Sequence, residues 1–469
     1  MPTHEVKEIK PPVDRMSPEE LVRESQRWLD IIGSGELTGE QKEQIKKDTL
    51  DNFQFYYSRG FLEYRKSVAE CELDDPSLEW TGQGSILEDM DGRKYIDFLG
   101  GFGVYSAGIR HPKIVQAVKS QLMRMPLSSQ ELMDPLRGAL AKLIGELTPG
   151  ELQCCFFINN GTDAIEGALK LARLYTKRTG FLSSLRGFHG KSCGSLSLMG
   201  KWEYREPFEP LLPDIHFVEF GDAESVEDEL YKADEVGKGI AAVILEPIQG
   251  EAGAIVPPED FWPRVRKACD EYGALLIADE VQTGLGRTGK MFGVDHWNVA
   301  PDIICLGKAL GGGVMPLSAF VTTPKIWKVM DEEFPFIHSS TFGGNPLACA
   351  AGIASINVTL EEDLPAQADE KGKYILKHLK SLRALHDSIV VEVRGRGLLL
   401  GMEFVNSHIG YRVVSGLFRR GVLVAGTMTN SRNVRFEPAL NISYELIDEV
   451  LERLEDTLEE VASTEEGKE

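Results

Sequence analysis

The stretch FWPRVRKACDEYGALLIADEVQ, residues 261–282, contains the pattern that decides the fold. Apolar side chains at helical spacing over 261–271 predict an amphipathic helix, and the apolar run 275–278 predicts a buried strand. The same alternation extends through the middle of the chain, with strand-like runs at 154–158, 241–245, 303–306 and 319–322 and another helical stretch at 164–176. Strands that alternate with helices are typical of an α/β domain with a mostly parallel sheet.

The composition is that of a globular chain with an acidic surface. The 469 residues include 73 acidic and 51 basic side chains, which gives a formal net charge of −22. This charge repels phosphate backbones and anionic lipids, so we expect neither a nucleic acid nor a membrane as a partner. No apolar run approaches ~20 residues, and residues 1–16 lack an apolar signal core, which predicts a cytoplasmic protein. The cysteine spacing predicts free thiols and no metal site.

The two ends of the chain differ from its middle. Ser17-Pro18-Glu19-Glu20 is typical of a helix N-terminus, and we expect a helical arm over residues 1–60. Residues 111–355 are predicted to form the large α/β domain. Residues 61–110 and 356–469 are predicted to form a smaller α+β domain built from both chain ends.

Polar side chains follow four predicted strands at the point where each apolar run stops. They are Glu246 after 241–245, Asp279 after 275–278, Lys308 after 303–306, and Gly161-Thr162 soon after 154–158. In open α/β sheets, ligands bind outside the carboxyl ends of the strands. We therefore expect these groups to line one crevice.

Each of these groups allows two interpretations. Gly161-Thr162 opens a helix, whose free N–H groups favour a phosphate, but such a turn is also an ordinary helix cap. Lys308 is either a nucleophile with a lowered pKa or a surface lysine in a glycine loop. Asp279 either caps the next helix or keeps a ring nitrogen protonated. Together, a phosphate turn, an acid and a lysine are the three groups that pyridoxal phosphate requires.

The segment around these residues resembles the class III aminotransferases of the fold-type-I pyridoxal phosphate family. The resemblance is carried by LIADEVQTG (276–284), GRTGK (286–290), Pro301-Asp302, KALGGG (308–313), LEPIQGE (245–251) and STFGGNP (340–346). It extends over about residues 60–460. It implies a large, mostly parallel α/β domain that binds the cofactor and a smaller α+β domain.

The resemblance also implies roles at the cofactor. Lys308 forms the covalent link to pyridoxal phosphate and later moves a proton between the substrate carbon and the cofactor. Asp279 pairs with the ring nitrogen, and Gln282 reaches the ring hydroxyl. Phe188 stacks on the ring, whereas His189 is a structural neighbour.

The phosphate is expected to bind at Gly161 and Thr162. By the same resemblance, Thr341 adds a phosphate contact across a subunit interface. The implied assembly is a homodimer or a dimer of dimers.

A further set of segments resembles the diamine branch of the family. These are GFLEYRKS (60–67), LGGFG (99–103), SQEL (129–132) and VLVAGT (422–427). The branch implies a ping-pong reaction in which a small-molecule amine donor, putrescine or cadaverine, passes its terminal amino group to a 2-oxo acid, 2-oxoglutarate. With putrescine the products are 4-aminobutanal, which cyclises to 1-pyrroline, and glutamate.

One site must then accept a cation in one half-reaction and a dianion in the other. By the resemblance, Arg435 binds the carboxylate of the oxo acid, and Glu246 masks Arg435 when an amine enters. A buried structural salt bridge is the alternative interpretation. Phe102 is expected to line the channel for the methylene chain, or else to pack in the core.

Three other functions remain open from the sequence. An ornithine- or 4-aminobutyrate-type transaminase shares every cofactor residue. An aminomutase of the same fold returns the amino group to its own substrate. A non-catalytic binding protein of this fold does not need both Lys308 and Asp279.

Overall fold

The computed structural model describes residues 15–69, 77–333 and 336–466. The chain divides into two compact units, residues 1–81 with 88–93 and residues 82–87 with 94–469. The domain boundaries predicted after residues 60, 110 and 355 stay predictions.

The described part of the N-terminal unit contains the α-helices α1 (Pro18–Gly33), α2 (Gly39–Asn52) and α3 (Arg59–Ala69), with a π-helix (Phe53–Tyr57) between α2 and α3. Helix α1 begins at the predicted capping signature, because Ser17 Oγ accepts from the Glu20 amide and the Glu20 carboxylate accepts from the Ser17 amide at 2.7 Å. Thr38 and Gln41 begin α2 in the same way. A small apolar core stabilises the unit, and its buried members are Ile31, Ile45 and Met90.

Three short strands and three helices follow. They are β1 (Glu79–Gln83), β2 (Ile86–Asp89), β3 (Lys94–Asp97), α4 (Gly100–Gly103), α5 (Pro112–Leu122) and α6 (Pro135–Leu147). The turn α4 brings two of its glycines, Gly100 and Gly103, close to Glu437, much later in the chain. At Gly103, φ is +90°, a value that favours glycine.

The second unit is built around a central sheet of seven strands. They are β4 (Cys154–Ile158), β5 (Gly180–Ser184), β6 (Ile215–Val218), β7 (Ile240–Leu245), β8 (Leu275–Asp279), β9 (Ile303–Leu306) and β10 (Ser318–Thr322), in the spatial order β4-β10-β9-β8-β7-β5-β6. The pairs from β6 to β9 are parallel, and β10 is antiparallel to both of its neighbours. This confirms the predicted α/β class with a mostly parallel sheet. Strands β5 and β6 were not among the predicted strands.

Helices of this unit connect the strands and continue beyond the sheet. They are α7 (Gly161–Thr176), α8 (Cys193–Ser197), α9 (Trp202–Arg205), α10 (Ala223–Glu235), α11 (Phe261–Tyr272), α12 (Pro324–Glu333), α13 (Pro346–Glu361) and α14 (Leu364–Leu385). Helix α11 and strand β8 are the helix and the strand that the sequence pattern of 261–282 predicts. Apolar side chains of α7 form one core with the sheet, and they include Ala164, Ile165, Ala168 and Leu171.

The C-terminal part carries a second sheet. Its elements are β11 (Val390–Arg396), β12 (Leu399–Phe404), α15 (Ser407–Arg419), β13 (Val422–Leu423), β14 (Ala425–Gly426), β15 (Asn433–Phe436) and α16 (Tyr444–Glu466). The sheet has the order β11-β12-β15-β14 and is antiparallel. Strand β13 pairs instead with β3 in parallel, with Val422 opposite Ile96. Residues from both ends of the unit thus share one ladder.

Two further findings concern the described residues as a set. None of their helices is long and apolar enough to cross a bilayer. The free cysteines are Cys154, Cys155, Cys193, Cys269, Cys305 and Cys349, of which only Cys193 is exposed.

Candidate active site

The carboxyl ends of the central strands bring the predicted polar groups to one edge of the sheet. Strands β7, β8 and β9 are adjacent and parallel, with Leu245 opposite Ala278 and Asp279 opposite Cys305. Glu246 and Lys308 follow β7 and β9 at that same edge. Chain direction alone therefore places two carboxylates and a lysine side by side.

Lys308 is partly exposed at the start of a one-turn helix over 308–311. Burial of its ammonium lowers the pKa of Lys308, and the guanidinium of Arg435 lowers it further. The carboxylates of Glu437 and Glu251 act in the opposite direction. A lysine with a lowered pKa holds more neutral amine at a given pH, which suits a nucleophile and a base.

Asp279 is buried and bonded to a buried histidine. The distance from Asp279 Oδ2 to His189 Nδ1 is 2.7 Å, and Asp279 Oδ1 accepts from the Val281 amide at 3.2 Å. Although burial opposes it, the hydrogen bond to Asp279 raises the pKa of His189. The two contacts leave the carboxylate with acceptor capacity for a protonated ring nitrogen.

Glu246 lies at the predicted edge of the sheet, but its side chain is bonded to backbone amides and not to Arg435. Its two oxygens accept from the amides of Phe188 at 3.0 Å and Gly250 at 2.9 Å. Burial raises the pKa of Glu246 to about 7. The side chain therefore holds the half-buried Phe188 turn in place and makes no ion pair with Arg435.

The partner of Arg435 is Glu251, which corrects the predicted pair. Arg435 Nη1 donates to Glu251 Oε1 at 2.9 Å, and Arg435 Nε lies 3.4 Å from Glu437 Oε2. Glu251 comes five residues after Glu246, on the loop that follows β7, and this loop reaches β15. The amides of Phe188 and Gly250 hold Glu246 at the strand end, so the guanidinium meets the later carboxylate.

Arg435 retains unused donors although it is fully buried. Within the described part of the chain, neither its Nη2 nor its Nε makes a hydrogen bond. The ring of Phe102 lies 5.2 Å from Arg435 Cζ, and 43% of Phe102 is exposed. Phe102 thus lies over the guanidinium and is not a core residue, whereas its place in a channel for the methylene chain stays a prediction.

The N-terminus of α7 forms a polar cup. Asn160 Oδ1 accepts from the Asp163 amide at 3.0 Å, and no acceptor for the amides of Gly161 and Thr162 lies in the described part of the chain. Thr162 Oγ1 lies 2.6 Å from the hydroxyls of both Ser192 and Ser195. Free amides beside hydroxyls are suited to an anion such as phosphate.

Two other predicted residues lie in different surroundings. Gln282 Nε2 donates to both carboxylate oxygens of Glu437, at 3.1 and 2.9 Å. Thr341 is exposed, and its carbonyl accepts from Gln130 at 2.6 Å. The contribution of Thr341 to a neighbouring subunit stays a prediction.

Comparison with known proteins places the chain in a family. Residues 77–458 match the family model of the class-III aminotransferases. The chain belongs to this family. It is a pyridoxal-phosphate-dependent aminotransferase, with a small-molecule amine and an oxo acid as substrates.

Individual relatives agree with this assignment. The putrescine aminotransferase of Pectobacterium atrosepticum is 48% identical over 453 residues, which cover 96% of each chain. The ornithine aminotransferase of Toxoplasma gondii matches with a TM-score of 0.81 and 28% identity, over 96% of this chain and 100% of that one. A PLP-bound amine transaminase from an uncultivated Pseudomonas species matches with a TM-score of 0.76 and 30% identity, over 83% and 96% of the two chains. The expected fold-type-I architecture is thereby confirmed.

The residues at the aminotransferase site fit pyridoxal phosphate. The α7 cup would offer free amides to the phosphate, Asp279 an acceptor to the ring nitrogen, and Lys308 an amine for the covalent link. A Cβ atom on Gly190 would lie 2.4 Å from Thr162 Oγ1, so only glycine leaves the cup open. Among the residues that the structure describes, no group of His, Cys, Asp and Glu is arranged to hold a metal ion.

Two carboxylates at this site were missed from the sequence. Glu251 ends the LEPIQGE segment, and Glu437 follows Arg435 by two residues. A signal was present, since both lie inside stretches already associated with the site. Nothing in the local pattern indicates which of two carboxylates, five residues apart on a loop, turns toward an arginine.

Proposed function

We propose that this aminotransferase moves the terminal amino group of a diamine, putrescine or cadaverine, to 2-oxoglutarate. The products are an aminoaldehyde and glutamate. The donor class is supported by the relative that is named a putrescine aminotransferase and is 48% identical over 96% of both chains. The observation that carries the proposal is the buried Arg435, which acts electrostatically on Lys308. Its Nη1 is bonded to Glu251, and its Nη2 makes no hydrogen bond in the described part of the chain.

The Glu251–Arg435 pair serves both half-reactions. With Glu251 in contact, the guanidinium is neutralised and does not repel a diamine that enters with a positive charge. When a 2-oxo acid enters, its carboxylate takes the fork of Arg435 and Glu251 moves aside. A planar guanidinium binds a carboxylate through two parallel N–H groups, which suits arginine for this role.

Lys308 and Asp279 carry the proton chemistry. When bound, pyridoxal phosphate supplies an electron sink next to the carbon that loses its proton. Lys308, whose pKa is lowered, accepts that proton from the substrate carbon and delivers it to the cofactor. Asp279, held by His189, keeps the ring nitrogen protonated. Gly161 and Thr162 bind the phosphate, and Phe188 covers the ring.

The proposed assembly is a homodimer or a dimer of dimers. Thr341 is exposed on this chain, and the proposal assigns it to the phosphate of a neighbouring subunit. Sedimentation of the holoprotein measures the number of subunits. The cofactor affinity of Thr341→Ala, compared with that of the unchanged chain, tests the phosphate contact across the interface.

The test of the donor is a spectrum of the holoprotein titrated with putrescine in the absence of an oxo acid. The proposal expects the band of the bound cofactor to bleach and then to return with 2-oxoglutarate. A band that bleaches with ornithine or 4-aminobutyrate and persists with putrescine would assign the donor to those amino acids instead. Turnover that needs no oxo acid would indicate an aminomutase.

A further inference from the structure

Glu437 is a fully buried carboxylate with no role in the reaction described above. It follows β15, two residues after Arg435, and its amide donates to the Phe98 carbonyl at 2.8 Å. A Cβ atom on Gly103 would lie 2.6 Å from Glu437 Oε1 and 3.7 Å from Lys308 Cδ. Glycine at 103 therefore lets the carboxylate and the lysine approach the same point.

The contact with Glu437 decides which end of the Gln282 amide faces which neighbour. An ionised carboxylate only accepts hydrogen bonds, so the NH₂ end of Gln282 must face Glu437. The Oε1 end lies against Gly250, where a Cβ atom would come within 1.7 Å. Gln282 Nε2 lies 3.1 and 2.9 Å from the two carboxylate oxygens. Because these oxygens are close together, one N–H can serve both, which would leave the second for a ligand oxygen.

Glu437 also holds the edge of Arg435 that Glu251 does not. Glu251 contacts Nη1 at 2.9 Å, whereas Glu437 lies 3.4 Å from Nε. Arg287, also fully buried, lies 3.8 Å from the same carboxylate through its Nε. When Glu251 moves aside for an oxo acid, Glu437 still holds the guanidinium.

We propose that Glu437 is a positioning residue that joins the two halves of the site. It orients Gln282 so that an N–H points at the cofactor oxygen, and it holds Arg435 in place for the carboxylate of the oxo acid. Replacement of this carboxylate by a neutral group therefore changes both the cofactor and the second substrate.

The charges around Lys308 set the direction of the first effect. The carboxylates of Glu437, Glu251 and Asp279 and the guanidinium of Arg435 act on Lys308, while Arg287 and Arg435 face Glu437. Arg287 is in turn near Asp97, and Arg435 is near Glu246. Without the charge of Glu437, two arginines keep their charge and one carboxylate is lost. The proton at the Lys308 nitrogen is then held less tightly.

The experiment is a pH titration of the absorption band of the bound cofactor in Glu437→Gln, with no substrate added. An opposite charge close to a titrating group shifts its pKa by about one unit or more, so we expect the midpoint to fall by about one pH unit. Cofactor affinity, measured by dialysis and rebinding, is expected to weaken together with the midpoint.

Glu403→Gln is the matched control, because Glu403 is another buried carboxylate on the second sheet with two arginine partners. Arg394 Nη1 lies 2.8 Å and Arg432 Nη2 2.5 Å from its oxygens. This variant is expected to unfold at lower temperature with an unchanged spectral midpoint. A midpoint that is equal in both variants and in the unchanged chain would overturn the proposal.

The KM for the oxo acid is a second measurement, independent of the spectral titration. The identity of that oxo acid rests on the proposed function. We expect the KM for 2-oxoglutarate to rise about tenfold in Glu437→Gln, since a charged contact is lost. If 2-oxoglutarate is not the acceptor, the unchanged chain fails with it too, whereas the spectral titration still decides the role of Glu437.

Glu437→Asp keeps the charge and is available if the glutamine variant does not fold. The shorter side chain is expected to retain the spectral midpoint within about 0.3 units and still raise the KM for the oxo acid, because it withdraws from Arg435. An aspartate variant with the KM of the unchanged chain would overturn the proposed contact with Arg435.

Discussion

Two arginines of the second sheet are both paired with buried carboxylates and differ in how many hydrogen bonds they make. Arg394, on β11, donates to the Gly253 carbonyl, to Glu392 and Glu403, and to Asn433 through all three of its nitrogens. Among the residues with described positions, Arg435, on β15, donates only to Glu251, through Nη1. The side chain of Arg394 is 11% exposed and that of Arg435 is fully buried.

The more deeply buried arginine is therefore the one with unmade hydrogen bonds. An unsatisfied buried donor costs about 1–3 kcal/mol, so a purely structural arginine is expected to be satisfied as Arg394 is. Over the described ranges of the chain, Arg435 lacks these hydrogen bonds and acts electrostatically on Lys308, which supports its proposed role in binding the oxo acid. If Arg435 binds the oxo acid as proposed, unmade hydrogen bonds, and not the degree of burial, distinguish it from Arg394.

The largest expected effect comes from truncating each arginine to alanine. Loss of one partner of a buried charge pair costs about 2–5 kcal/mol, so Arg435→Ala is expected to lower kcat/KM for the oxo acid by about 10²–10³-fold. Arg394→Ala is expected to lower Tm and to leave kcat/KM within about threefold. Equal losses of kcat/KM in stopped-flow half-reactions would remove the distinction between the two arginines.

The pH dependence of the free energy of unfolding distinguishes two buried carboxyl groups. Glu246 accepts hydrogen bonds from backbone amides, whereas Glu251 is paired with Arg435. Burial raises the pKa of Glu246 to about 7 from an ordinary value of 4.5. A raised pKa means that the folded state binds the proton more tightly. The protonated Glu246 carboxyl therefore stabilises the fold fully below the pKa of the unfolded state, 4.5. This stabilisation is lost as the pH rises through about 7.

Glu246→Gln removes this dependence. Its free energy of unfolding relative to the unchanged chain is expected to increase by about 2–3 kcal/mol between pH 5 and pH 8. Glu251→Gln is the control. Although burial opposes it, Arg435 and Lys308 hold the pKa of Glu251 below its usual range, so no such increase is expected over that window. Urea unfolding at both pH values measures the difference, and a flat profile for Glu246→Gln would contradict the assignment.

The loss of the negative charge opposite each arginine has a smaller effect. Glu251→Gln leaves the charge of Arg435 uncompensated, so the KM for putrescine is expected to rise about tenfold while the half-reaction of the oxo acid is preserved or improved. Glu403→Gln beside Arg394 is expected to leave both half-reactions unchanged. Single-turnover absorbance with each substrate measures them separately, and parallel changes in the two variants would contradict the masking role of Glu251.

The smallest expected effect concerns two aromatic rings that each lie against an arginine, Phe102 against Arg435 and Trp297 against Arg396. Phe102 lies 5.2 Å from Arg435 Cζ, and Trp297 lies 5.3 Å from Arg396 Cζ. A cation–π contact contributes about 0.5–1 kcal/mol, so Phe102→Leu is expected to raise the KM for the oxo acid about two- to fivefold. Trp297→Leu should lower Tm and leave that KM as it is. A larger loss in the tryptophan variant would show that the KM responds to general loosening of the fold.

Much of the site could be predicted because it depends on strand ends. Asp279 and Lys308 follow apolar runs directly, and parallel strands bring such ends to one edge whatever the rest of the chain does. The pairing of Arg435 was predicted wrongly, because it depends on how a loop returns from the central sheet to the second sheet. The spacing of residues along that loop carries no information about the direction of a side chain.

The sequence by itself determined the fold class, five of the seven central strands and the chemistry available at their ends. Hydrophobic periodicity and a family signature are properties of short stretches of sequence, so they can be recognised without a three-dimensional structure. Only the tertiary structure decided that Glu251 and Glu437, rather than Glu246, meet Arg435, and that Gln282 is oriented by a carboxylate. The contacts of Glu251 with Arg435 and of Gln282 with Glu437 join segments more than 150 residues apart, and their geometry is set by packing that no local stretch encodes.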